Sequence, residues 1–200
     1  MIDKEVINNY FSQLTQTINN ISKEDIQEAI DLLFTAWENK KRIFIVGNGG
    51  SASTATHFAA DLNKTANVEG KKRFKAIALV DNIPLCSALI NDDGFENLFI
   101  EQLKNFFEPG DVLIGISVHG GSGKDKAGLW SQNLLKAMKY VNDNGGKTVG
   151  LSGFEGGAMK KIANVCVVVP VESTPLVESL HVALEHVMVS CLKKRIEDYE

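Results

Sequence analysis

RIFIVGNGGSASTATHFAADLN, residues 42–63, decides the fold. Arg42-Ile-Phe-Ile-Val46 is a short apolar run of β-branched and aromatic residues; it ends in Gly47-Asn48-Gly49-Gly50, and the residues from Ser51 onward read as a helix. Strand, glycine turn, helix is the first unit of an alternating pattern. Further strands are expected over 74–80, 111–117, 147–152 and 165–169, with helical segments over 84–89, 95–107, 128–144, 157–163 and 174–194. Most of the strand runs are apolar at consecutive positions, so both faces need cover. Five such strands separated by helices predict a parallel sheet between two helical layers, a three-layer α/β/α sandwich with right-handed crossovers. Glu108-Pro109-Gly110 and Asp143-Asn144-Gly145-Gly146 supply the turns into the third and fourth strands.

Upstream, residues 1–40 read as two helices, because Ser22-Lys23-Glu24-Asp25 resembles a capping box and Ile26, Ile30, Leu33 and Trp37 follow at helical spacing. The 200 residues are read as one domain with 1–40 as its N-terminal helical segment, since a chain of this length buries roughly 70% of its unfolded surface. Lys plus Arg number 21 against 25 Asp plus Glu, for a formal charge of −4 without long like-charged blocks, which speaks against nucleic-acid binding. No apolar run approaches the ~20 residues of a membrane span, and MIDKEVINNYF lacks the features of a signal peptide. A cytoplasmic protein with no membrane partner is expected. Cys86, Cys166 and Cys191 are odd in number and far apart, which argues against disulfides and a cysteine-based zinc site.

Function is expected at the carboxyl ends of the strands. The Gly47–Ser51 turn opens a helix, so its backbone N–H groups suit either a phosphate or sugar or simply a tight turn. Ser117-Val118-His119-Gly120-Gly121-Ser122-Gly123-Lys124, after the third strand, combines hydroxyls, glycine N–H groups and a lysine, all suited to a phosphate. His57 and Asp61 stand four apart in one helix, while Glu178, His181 and His186 share a stripe of the last helix. Imidazoles and carboxylates converging from two helices make a transition-metal site, an acid/base pair or a solvated polar face.

Four motifs in order, GNGGSASTATHFAADL, NDDGFENLF, GDVLIGIS with its Gly/Ser loop, and VESLHVALEH, resemble the sugar isomerase (SIS) domain family over essentially the whole chain. The nearest branch is the sedoheptulose 7-phosphate isomerases, or phosphoheptose isomerases. The resemblance implies a homotetramer whose active sites are completed by neighbouring subunits. It also implies one Zn2+ per subunit, with metal-binding and catalytic positions falling on His57, Asp61, Glu178 and His186. His181 matches a second histidine common in the family's last helix. Two positions depart from the family pattern, Asp61 where members carry Glu and Glu178 where members carry Gln. Asn48, Gly49, Gly50, Ser51, Asn91 and Asp92 are implied to bind the substrate. Ser117, His119, Gly120, Ser122 and Lys124 stand in the phosphate loop, which reads Ser-Thr-Ser-Gly-Asn-Ser in the family. Thr54 and Leu176 replace an Asp and an Arg common among members.

The reaction implied is an aldose–ketose interconversion through an enediol, giving D-glycero-D-manno-heptose 7-phosphate for bacterial surface polysaccharide. His186 would serve as one acid/base and Asp61 or Glu178 as the other. A non-catalytic SIS module that binds a protein partner, of the replication-initiator-associating type, and a phosphosugar sensor are the alternatives. The Ile26–Trp37 stripe either packs between subunits of the tetramer or covers its own sheet.

Overall fold

A computed structural model describes residues 2–121 and 131–199. Two helices lead, α1 (Ile2–Asn19) and α2 (Lys23–Glu38), and the Ser22 side chain caps α2 by accepting from the Asp25 N–H at 3.0 Å. The alternating units follow as β1 (Arg42–Gly47), α3 (Gly50–Lys64), β2 (Lys75–Ala78), α4 (Ile83–Asp93) and, after a 3₁₀ turn, α5 (Leu98–Phe106). Then come β3 (Val112–Ser117), α6 (Gln132–Asp143), β4 (Lys147–Gly153), α7 (Met159–Ile162), β5 (Val165–Val169) and α8 (Thr174–Glu197).

All five strands are parallel, in the order β2-β1-β3-β4-β5. The α/β/α sandwich is the expected fold, and the central strands show why: Ile43, Phe44, Ile45 and Val46 are all fully buried. Ile43 and Ile45 join Leu33, Phe58, Leu62, Leu184 and Met188 in a core under α2, α3 and α8. Phe44 and Val46 join Phe99, Leu103, Leu134 and Met138 in a second core under α5 and α6. Each of these side chains contributes about 1.5–3 kcal/mol by leaving water. β2 is shorter than its apolar run because it is an edge, and the Asn63 side chain covers that edge by bonding both the N–H and the C=O of Ala76 at 3.0 and 2.8 Å.

Ile30, Leu33 and Trp37 are buried in the chain's own core, so this stripe covers its own sheet rather than a neighbouring subunit. The unpartnered apolar surface lies elsewhere: Val6, Ile7 and Phe11 of α1 are 62%, 52% and 60% exposed, and Ile83 of α4 is 73% exposed. Among the described helices α8 alone is long and apolar enough on average to cross a membrane; Glu178, His181, Glu185 and His186 interrupt it, and its apolar side packs on α3 and the sheet.

The strand order places the site. From β1 the chain moves outward to β2 and then returns to the other side of β1 as β3, so the loops leaving β1 and β3 diverge and open a crevice between them. α8 packs along α3, and its Glu178 lies at the Gly50 turn beside this crevice.

Candidate active site and metal centre

The turn after β1 is built by close packing. Gly49 has φ +54, and a Cβ on Gly47 would lie 2.3 Å from the Ser51 carbonyl oxygen. Asn48 and Asn133 exchange two amide hydrogen bonds of 3.1 and 2.9 Å, tying the turn to α6. Ser51 and Thr54 are buried beneath it, and Leu176 is buried too. A Cβ on Gly50 would lie 2.4 Å from Glu178 Oε1, so the positive end of α3 already faces the chain's own carboxylate. The second candidate loop follows β3.

That loop rests on a firm base. Ser117 is buried, the Gly153 N–H donates to the Val118 carbonyl at 3.0 Å, and the Met159 N–H donates to the Gly120 carbonyl at 2.9 Å. Gly120 has φ +62 and its absent Cβ would lie 2.0 Å from the Gly156 carbonyl oxygen, so no other residue fits. The exposed His119 ring lies 4.4 Å from the Phe154 ring. Ser122 and Lys124 lie outside the described residues. Asn91 and Asp92 are exposed on α4 and bonded to each other at 2.7 Å, and among the described residues no side-chain hydrogen bond joins either to the two loops.

Further along the α3–α8 seam, His57, Asp61, Glu185 and His186 come together with one potential ligand atom each, all within 4.8 Å of one another. Asp61 Oδ2 is 3.8 Å from His57 Nε2 and 3.7 Å from His186 Nε2, while its Oδ1 accepts from the Thr65 hydroxyl at 2.8 Å. His57 Nδ1 is 2.8 Å from Glu185 Oε1, and the two imidazoles meet edge to face. Glu185 is fully buried, neither of its oxygens completes a well-aligned hydrogen bond, and burial, then the charge of Asp61, push its carboxyl up to about 8. Two imidazoles, a carboxylate and an orphaned buried carboxylate behind them fit a divalent cation, and three donors with an open fourth position are the pattern of catalytic zinc.

The sequence reading brought His57, Asp61 and His186 together, as the structure does. Glu178 does not join them: it lies at the Gly50 end of the seam, seven residues before Glu185, which is about 10 Å of helix. Glu185 fills the place in this group instead. It went unnoticed because it follows an apolar run in VESLHVALEH; its position four residues after His181 was the available signal.

His181 is buried with no well-aligned partner at either ring nitrogen, and burial pushes it down to about 4 against the opposing effect of the Ser152 backbone. Between pH 6.5 and 4 the unfolded chain therefore binds more protons than the fold, and stability falls with falling pH by on the order of 3 kcal/mol. Glu185 acts oppositely, costing stability as pH rises from 4.5 toward 8. Thermal melts of the metal-free His181→Leu protein should lose stability less steeply between pH 6.5 and 4 than the parent. An identical slope would move the acid sensitivity to other groups.

The sequence profile of the SIS domain matches residues 8–153. The chain belongs to the SIS-domain family. Among SIS-domain relatives, the phosphoheptose isomerase of Helicobacter pylori (strain P12) is 36% identical over 172 residues, covering 86% of this chain and 84% of that protein. The lincomycin biosynthesis protein LmbN of Streptomyces lincolnensis is 37% identical over 187 residues, covering 92% of this chain and 67% of that protein. The solved phosphoheptose isomerase GmhA from Neisseria gonorrhoeae superposes with a TM-score of 0.84 at 27% identity, covering 97% of this chain and all of that one.

Proposed function

We propose that this phosphosugar isomerase acts on a heptose 7-phosphate, interconverting sedoheptulose 7-phosphate and D-glycero-D-manno-heptose 7-phosphate through an enediol. The observation that carries the reading is Asp61 Oδ2 standing 3.8 and 3.7 Å from two imidazole nitrogens in the α3–α8 seam. A carboxylate and an imidazole aimed at one point are what the proton shuttle requires: Asp61 takes the proton from the carbon next to the carbonyl, and His186 serves the oxygens. His57, Asp61 and His186 would hold a divalent cation, zinc by their donor set, and when bound it supplies positive charge to the developing enediolate. Ligation and proton transfer compete for the same lone pairs. His57, braced by Glu185, is the fixed anchor, and Asp61 and His186 are the groups free to exchange roles. The phosphate sits on the Ser117–Gly121 loop, and Asn48, Gly49, Gly50 and Ser51 border the sugar.

In this reading Glu178 stands at the sugar end of the site, too far from the cluster to be the base within one chain. NMR of the full chain with zinc and sedoheptulose 7-phosphate tests the function through appearance of the aldose anomeric proton. An unchanged ketose spectrum at high enzyme concentration would count against it. One observation favours a different sugar phosphate: Val118 and His119 replace hydroxyl residues of the family's phosphate loop, and His119 packs on Phe154.

The tetramer belongs to the same proposal. Val6, Ile7 and Phe11 of α1 and Ile83 of α4 stand more than half exposed among the described residues, and Asn91 and Asp92 on α4 reach a site most simply from a neighbour. Light scattering should give a mass four times 21.9 kDa, and a Phe11→Glu variant should lower it. A parent protein that scatters as a monomer at micromolar concentration would remove the tetramer from the account.

A further inference from the structure

Two carboxylates of the described residues are almost fully buried, and they differ in their surroundings. Asp111 accepts from the Arg42 N–H and Nε and from the Glu108 N–H, each at 2.9 Å, so burial leaves it satisfied. Glu185 has no such set: its neighbours are His57 at 2.8 Å, His186 at 3.8 Å and the like charge of Asp61. An unsatisfied carboxylate in a packed helix–helix seam needs a reason. We propose that Glu185 is a positioning residue that accepts a hydrogen bond from the His57 Nδ1–H, fixing the imidazole with a bare Nε2 turned toward Asp61 and His186.

The distances separate this role from direct ligation. Two donors about 2.0–2.1 Å from one tetrahedral zinc stand roughly 3.3 Å apart. The Asp61–His57 and Asp61–His186 separations of 3.8 and 3.7 Å need only a small contraction to meet that figure. The 2.8 Å between His57 Nδ1 and Glu185 Oε1 is too short for two ligands of one ion and is the length of an N–H···O hydrogen bond. The ring also faces a different carboxylate at each nitrogen, Glu185 at Nδ1 and Asp61 at Nε2, so turning it over would break both arrangements at once. A free histidine divides its proton between the two nitrogens. Here the buried acceptor selects one, and the carboxylate–histidine–metal pairing that results raises the basicity of the liganding nitrogen. A small ring rotation brings the Nδ1–H into line.

The inference rests on His57 being a donor to the cation, and the test separates the two ideas. Histidine-selective ¹H–¹⁵N correlation spectra of the full chain report which ring nitrogen carries the proton. Zinc affinity is read independently by competition with a chromophoric chelator. In the metal-free parent at pH 9, His57 is expected as the Nδ1–H form, and zinc should move its Nε2 resonance. Glu185→Leu should mix the tautomers and weaken zinc binding by roughly 10–100-fold. Glu185→Gln, which keeps an accepting oxygen, should restore the Nδ1–H form and most of the affinity. Thermal melts confirm that each variant is folded. An Nε2–H form in the parent would overturn the proposal, as would a folded Leu variant with unchanged tautomer and affinity. A Gln variant as weak as the Leu variant would make Glu185 a direct ligand and overturn it too. An Nδ1–H form in a parent that binds no zinc would support the positioning role while removing the cation.

Discussion

His186→Ala should lower isomerase turnover by on the order of a thousandfold or more, because it removes one member of the proposed acid/base pair and one of three cation donors together. The side chain is 51% exposed and its ring meets His57, Asp61 and Glu185 at the surface of the seam, so little packing is lost and the fold should remain. A melting temperature close to the parent's, with weakened zinc binding and lost turnover, is the expected combination. Full turnover in the variant would remove His186 from the chemistry and leave Asp61 without its partner. Asp61→Asn should lose as much turnover, since the amide keeps the shape and the Thr65 bond but cannot take the proton.

The second large effect is structural. Gly47→Ala should destabilise the protein by about 3 kcal/mol or more, roughly 10 °C in melting temperature, because the new Cβ meets only backbone: Ser51 O at 2.3 Å, Ser51 C at 2.5 Å and Ala52 N at 2.9 Å. Nothing there can swing aside. The neighbouring glycines calibrate the effect. Gly49 has open space but φ +54 with ψ −125, a backbone that L-residues rarely adopt, so alanine there costs about 1–3 kcal/mol of backbone strain. At Gly50 the Cβ meets the mobile end of Glu178, which can rotate away, so the expected cost is below about 1 kcal/mol. Calorimetry of the three variants should rank Gly47 above Gly49 and Gly50. Equal costs at all three would mean that the turn is looser than its geometry.

The strands were readable because β1, β3 and β4 are buried on both faces, which writes continuous apolar runs such as Ile43 to Val46 into the chain. The order in which they pair was not readable, since nothing local distinguishes a strand that will neighbour β1 on one side from one on the other. The Ile26–Trp37 periodicity announced an amphipathic helix without naming what it covers, and it covers β1 and β5 of its own sheet. The site was legible where it depended on helical spacing, as for His57 with Asp61. It was not legible where it depended on how α3 and α8 pack: offset along that seam separates Glu178 from the cluster and brings in Glu185, which shares the stripe of Glu178 and His181.

The central claim is that Asp61 and its two imidazoles move a proton next to the carbonyl of a bound sugar phosphate. Its most direct test is hydrogen exchange in D2O, followed by NMR with sedoheptulose 7-phosphate and the zinc-supplied full chain. The account predicts deuterium entering C1 of the ketose and C2 of the aldose with the parent protein, and none with Asp61→Asn. A parent protein that binds the sugar phosphate and leaves those positions fully protonated would contradict it.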